Sequence, residues 1–273
     1  MVTVMANKKA LFVGINYPGT QHQLRGCIND VHMMNNTLTK HFGFTNEDNK
    51  VALLDSGATA RNIKEQLEWL VDGAQPGDVL FFHFSGHGTQ VRDNNGDEVD
   101  GLDEIICPID LSPTNMVTDD DFSRIFSKLP EGVNLTTVLD CCHSGQGLRQ
   151  ISLDGYTSNR AMRSPEMLSD EDLYAMPVKT RALSNVSLQS QKGILLSGCR
   201  SNQTSADAYI NGAYRGALTF MLNRVLFLNR MSITYRSLIN HVNKEMDVAG
   251  YSQDPELVCA PHLADRFFLE SLV

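Results

Sequence analysis

The sequence predicts an α/β protein built on an open, mostly parallel β-sheet with helices on both faces. Three observations lead there. Short apolar runs rich in Val, Ile, Leu and Phe recur along the 273 residues, bounded by Gly, Asp or Ser, and read as strands buried on both faces. Segments of helical period lie between several of them, the pattern of a sheet sandwiched by helices. With 42% hydrophobic and 20% charged residues, the composition is that of a globular protein, long enough for one large domain or two small ones.

The apolar runs fall at 9–15, 50–54, 78–84, 104–109, 134–140, 193–198 and 265–269. The first helix is expected from Asn29 or Asp30 to about His41. The second starts at a Thr59 cap and carries Ile63, Leu67 and Leu70 on one face; the third starts at a Thr118 cap and carries Phe122, Ile125 and Leu129. Two more, about 214–229 and 234–248, follow the sixth run. From Gln146 to Lys192 no period is sustained. Basic residues (Arg149, Arg160, Arg163, Lys179, Arg181, Lys192) are scattered through this stretch, and a loop of such length inside a compact domain is expected to be functional or partly disordered.

The formal charge is −9, which argues against nucleic acid or an anionic membrane surface as the main partner. The excess is local. Between Asp93 and Asp121 there are ten carboxylates and no Lys or Arg, whereas the rest of the chain is nearly balanced. Six scattered cysteines fit a reducing, cytoplasmic setting better than a disulfide scaffold. No signal peptide or membrane span is expected.

Ligands of open α/β sheets bind beyond the carboxyl ends of the strands, so strand-terminal residues are the first candidates. Val79-Leu-Phe-Phe-His-Phe84 runs into Ser85-Gly86-His87-Gly88, and Leu135-Thr-Thr-Val-Leu139 runs into Asp140-Cys141-Cys142-His143-Ser144-Gly145. A thiol of pKa near ~8.5 is mostly protonated at neutral pH and needs an imidazole to take its proton. A Cys and His87 at one sheet edge, flanked by glycines, supply nucleophile and base. The backbone N–H groups around Gly88 and Cys142 could hold the oxyanion. Cys142 lies about 55 positions after His87, close to the ~50 noted for caspases, although the caspase Q-A-C-x-G signature is missing.

Phe84-Ser-Gly-His-Gly-Thr-Gln90 and Leu139-Asp-Cys-Cys-His-Ser-Gly145 resemble the His and Cys blocks of metacaspases, caspase-like cysteine peptidases. Further blocks resemble the family in family order: Ala10–Tyr17, Leu24–Asp30, Asp103–Asp110, Thr118–Asp121 and Leu196–Asp207. The resemblance covers about residues 8 to 270. It implies a single caspase-like peptidase domain over 1–273, with Cys142 as nucleophile and Cys141 facing away. It further implies that Asp30, Asp140, Cys27 and Ser85 line the pocket for the residue before the scissile bond. Carboxylates in a concave site select a cation, so cleavage is expected after Arg or Lys.

For the acidic segment an EF-hand loop is rejected, because Glu98 stands where Gly is demanded. The resemblance implies instead a stimulating Ca²⁺ held by Asp103, Asp119 and Asp120. Arg149 stands where some relatives have another acid, and the Pro-rich prodomain of some members is not seen. The 146–192 segment is a candidate for self-cleavage. No organic cofactor, nucleic acid or membrane partner is expected, and the expected state is a monomer acting on peptides or proteins. The alternative is a catalytically silent caspase-like interaction module. Zinc at Cys141-Cys142-His143 is disfavoured, since adjacent residues cannot readily share one tetrahedral ion.

Overall fold

A computed structural model describes residues 6–92, 102–141, 157–160, 162, 193–198 and 205–273. Its main sheet has six strands in the order β12-β9-β7-β3-β1-β2. These are β1 (Lys8–Gly14), β2 (Lys50–Leu54), β3 (Val79–Ser85), β7 (Asn134–Asp140), β9 (Gly193–Ser197) and the edge strand β12 (Glu256–Val258). All pair in parallel except β12, which runs antiparallel to β9.

Both faces are covered, as the continuous apolar runs require. Alternating strand residues such as Leu11, Val13, Leu80, Phe82 and Phe84 pack toward α2 (Ala60–Val71) and α3 (Asp119–Phe126). Phe12, Phe81 and Val138 face α1 (Cys27–His41), α4 (Ala217–Leu228) and α5 (Tyr235–Ala249). Thr59 caps α2 by accepting from the Asn62 N–H, and Thr118 and Asp121 form a reciprocal capping box at α3.

Three features depart from expectation. The 104–109 run does not join the main sheet. Residues 102–106 form β5 in a small antiparallel sheet between β4 (Gly88–Arg92) and β6 (Val117–Thr118). The 265–269 run is a series of turns with one isolated bridge, Thr234 to Phe267, and a left-handed Leu269 (φ 56°). Its Phe268 and Leu269 are buried against the α5 face, so burial rather than strand pairing explains the apolar run. Within the supposedly irregular 146–192 stretch, β8 (Thr157–Asn159) pairs with β10 (Ala206–Ile210), which continues by a hairpin to β11 (Ala213–Gly216).

The sheet register builds the site. Ser85 pairs with Gly14 on one side and Asp140 on the other, so β1, β3 and β7 end level and deliver their last side chains to one edge.

Candidate active site

His87 follows the end of β3 and is buried. Gly86 precedes it because a Cβ there would press on the Phe84 ring and the Tyr17 hydroxyl. The Tyr17 hydroxyl donates to the Cys107 carbonyl (2.6 Å) and accepts from the His87 N–H (3.0 Å), with the two rings 4.7 Å apart. This contact holds Tyr17 in a left-handed backbone conformation (φ 49°). The His87 ring is fixed by a 2.7 Å bond between Nε2 and the His22 carbonyl. A carbonyl can only accept, so Nε2 carries the proton and Nδ1 the lone pair. Nδ1 is buried and has no hydrogen-bond partner among the described residues. Burial pushes the His87 pKa down to about 4, against the opposing pull of the His22 carbonyl, so the ring is neutral at physiological pH.

Asp30, Ser85, Asp140 and Cys27 come together as one buried cluster, and the chain's own Arg160 fills it. Arg160 Nη1 donates to Ser85 Oγ (2.6 Å) and to the Asp140 carbonyl (3.1 Å), and lies 3.4 Å from Asp140 Oδ1. Nη2 donates to Asp30 Oδ2 (2.8 Å) and to Asp207 Oδ1 (2.9 Å). Burial alone would ease the proton off this guanidinium. The carboxylates of Asp140, Asp30 and Asp207 outweigh that and hold it charged. Burial raises the Asp30 pKa to about 7, with Arg160 opposing and Asp140 adding to the rise. Burial also keeps the Cys27 thiol protonated.

Helix ends pin the three carboxylates. Neither α1 nor α4 has a side-chain cap of its own; their N-cap residues are Gly26 and Gly216. Asp207 accepts from the Arg25 and Gly26 N–H groups, Asp30 from the Gly216 N–H, and Asp140 Oδ2 from both the Thr219 N–H and its hydroxyl (2.8 Å each). Ser205 Oγ donates to Asp140 Oδ1 (2.8 Å). Orphan helix donors thus fix the acids before any cation arrives.

The profile described as metacaspase, peptidase C14 domain, matches residues 8–150. The chain belongs to the metacaspase family. Metacaspase-1 of Schizosaccharomyces pombe is 36% identical over 94% of this chain and 68% of its own length. Metacaspase-1 of Debaryomyces hansenii is 35% identical over 93% and 64%, and metacaspase-1B of Neurospora crassa 35% identical over 92% and 66%. The chain therefore spans about two thirds of these relatives. A protein of known crystal structure from Geobacter sulfurreducens superposes with a TM-score of 0.70 at 25% identity, covering 98% of this chain and 100% of that one. These relatives place the chain among caspase-like cysteine peptidases. Among the described residues no helix is long and apolar enough to cross a membrane.

Of the residues expected from the metacaspase pattern, Cys142 and Arg149 lie outside the described residues. Cys141 is buried in the apolar core beside Leu139. The Gly88 N–H, expected to serve the oxyanion, is engaged by the Arg160 carbonyl (3.1 Å). Asp119 is buried and Asp120 follows it in the first turn of α3. Asp103 lies on β5, but its side chain is outside the described residues. Asp207 and Arg160 were not singled out as site residues by sequence reasoning. Asp207 closes the Leu196–Asp207 block, and Gly in place of a capping residue before α1 and α4 was the available sign that carboxylates from elsewhere must serve those helices.

Proposed function

We propose that the chain is a cysteine endopeptidase that cleaves after Arg or Lys with a Cys142–His87 dyad, is stimulated by calcium, and processes itself. The observation carrying this reading is the buried Arg160 guanidinium held by Asp30, Asp140 and Asp207. A pocket that binds one basic side chain this way suits the same side chain on a substrate. The planar fork engages Ser85 and Asp140 through one nitrogen and Asp30 and Asp207 through the other, which favours Arg over the single ammonium of Lys.

In this mechanism neutral His87 takes the Cys142 proton on Nδ1 while the His22 carbonyl steadies the ring. The thiolate attacks the carbonyl of the basic residue, the Gly88 N–H stabilises the oxyanion, and His87 returns the proton to the leaving amine. Water then hydrolyses the thioester. The buried free thiols Cys27 and Cys107 fit a reducing, cytoplasmic setting.

The Asp30 pKa of about 7 gives the pH dependence a sign. Below that pH Asp30 is an uncharged acid and attracts the guanidinium less. His87, at about 4, adds no step between pH 5 and 8. In a free pocket the opposing Arg160 guanidinium is gone, so the kcat/KM for an Arg peptide is expected to fall with decreasing pH by up to about tenfold per unit, on a limb that starts at or above pH 7, and Asp30→Asn to flatten that limb. A limb that survives unaltered in the variant would dissociate it from Asp30.

Calcium belongs to the same reading. Asp119 and Asp120 offer hard oxygen donors, and β5 pairs with β6, which leads directly into α3, so the Asp103 backbone lies on the strand beside them. Asp121 is accounted for locally by the cap and by Lys64 (2.7 Å). Among the described residues no group of three or more His, Cys, Asp or Glu is arranged for a metal, so the site depends on the Asp103 side chain. Bound Ca²⁺ would neutralise these acids.

The test is hydrolysis of an Arg-containing peptide by wild type, Cys142→Ala, Cys141→Ala and Asp119→Ala, each titrated with calcium and chelator. Cys142→Ala is expected to abolish turnover and Cys141→Ala to retain most of it; the reverse would sink the dyad. Activity that persists in excess chelator would remove calcium and leave the peptidase.

A further inference from the structure

Arg160 does more than fill a pocket. It arrives there at the end of an extended segment that is bound through its backbone in the way a peptide substrate would be. Thr157, Ser158 and Asn159 pair antiparallel with Ala208, Asp207 and Ala206. The Arg160 N–H continues this ladder by donating to the Ser205 carbonyl (3.1 Å). Beyond the side chain, the Arg160 carbonyl accepts from the Gly88 N–H (3.1 Å), and the Met162 N–H donates to the Gly88 carbonyl (3.1 Å). The Arg160 carbonyl is thus bound by the donor that the proposed chemistry assigns to the oxyanion.

We infer that residues 157–160 occupy the substrate site as the chain's own substrate, and that the first self-cleavage falls between Arg160 and Ala161. The inference rests on the peptidase reading and specifies where its self-processing begins. The 146–192 segment offers five other basic residues, at 149, 163, 179, 181 and 192. Arg160, the one of the six among the described residues, has its side chain, N–H and carbonyl all engaged by the site. In the reaction the Cys142 proton passes to His87 and the sulfur bonds to the Arg160 carbonyl carbon. The bond to the Ala161 nitrogen breaks as His87 protonates that nitrogen. Water then cleaves the thioester, leaving the Arg160 carboxylate and the regenerated thiol. Until the cut, the tethered arginine excludes other substrates, so peptide turnover should show a lag that ends as the two-chain form accumulates.

The experiment follows the full chain in calcium by intact mass and by sequencing of new N termini, with peptide hydrolysis measured in parallel. The expected first product begins Ala161-Met162-Arg163 and is absent from Cys142→Ala. Arg160→Gln should slow this cut at least tenfold and shorten the lag. Arg160→Lys keeps the cation, guards against misfolding as the explanation, and should still be cut at this position. Peptide hydrolysis by a chain that stays intact, or whose first new terminus lies elsewhere, would overturn the inference and leave the peptidase standing. A chain inert toward both peptide and itself would overturn both.

Discussion

Asp140→Asn is expected to lower kcat/KM for an Arg peptide at least 100-fold. Two Asp140 oxygens meet donors on every side: Thr219 N–H and hydroxyl at Oδ2, Ser205 hydroxyl and Arg160 Nη1 at Oδ1. An amide has only one accepting oxygen. Either its NH₂ faces the Thr219 N–H at the start of α4, or it faces the guanidinium, and neither arrangement satisfies both sides. Loss of a charge-assisted bond costs about 1.5–3 kcal/mol and the mismatched donor about 1–3 more, and 1.36 kcal/mol is tenfold. Asp140 stands two residues before Cys142, so a displaced nucleophile must be separated from a damaged pocket. The measurement is the ratio of kcat/KM for an Arg peptide to that for the norleucine analogue. A misplaced thiol lowers both alike, whereas loss of the anion collapses the ratio. A ratio that stays at its wild-type value would remove Asp140 from specificity. Asp140→Ala should add a fall in thermal stability, because the buried Thr219 N–H loses its acceptor.

The central strands were legible because burial on both faces leaves unbroken apolar runs; 9–15, 50–54, 78–84, 134–140 and 193–198 match β1, β2, β3, β7 and β9 closely. The Thr59 and Thr118 caps were legible because a cap acts within three residues of itself. Ser85, Asp140 and His87 stood out as strand ends. Asp207 and Arg160 did not, since each acts across a sequence separation that no local period records: Arg160 meets Asp30 from 130 positions away and Asp207 from 47. The 104–109 run was misassigned for the opposite reason. Its apolar residues are buried as expected, but burial does not say which sheet accepts the strand. Where function is concerned, the informative local oddity was a deficiency, two helices that begin at glycine with no capping side chain of their own.

That deficiency leads to the second large effect, Gly216→Ala. Gly216 has an ordinary φ of −70°, so no backbone strain demands glycine here. What demands it is space: a Cβ would fall against Asp140 Oδ2 and Arg160 Nη1, both wholly buried. The Gly216 N–H donates to both oxygens of Asp30 at 2.9 Å, so the backbone cannot retreat without releasing that carboxylate. Overpacking of this kind costs about 1–3 kcal/mol, and release of a buried acid from its donors adds about 1–3 more. Gly216→Ala should therefore lower Tm by roughly 6–12 °C, taking about 3 kcal/mol at 2–4 °C each. It should also cut Arg-peptide kcat/KM at least 100-fold. Gly212→Ala provides the contrast. Gly212 sits at φ +86° in the β10–β11 turn with nothing within 4 Å of an added Cβ, so the change strains the backbone without touching the pocket. It should cost about 1 kcal/mol of stability and leave peptide turnover intact. Comparable activity losses in the two variants would mean that hairpin stability, and not the space beside Asp140, governs the site.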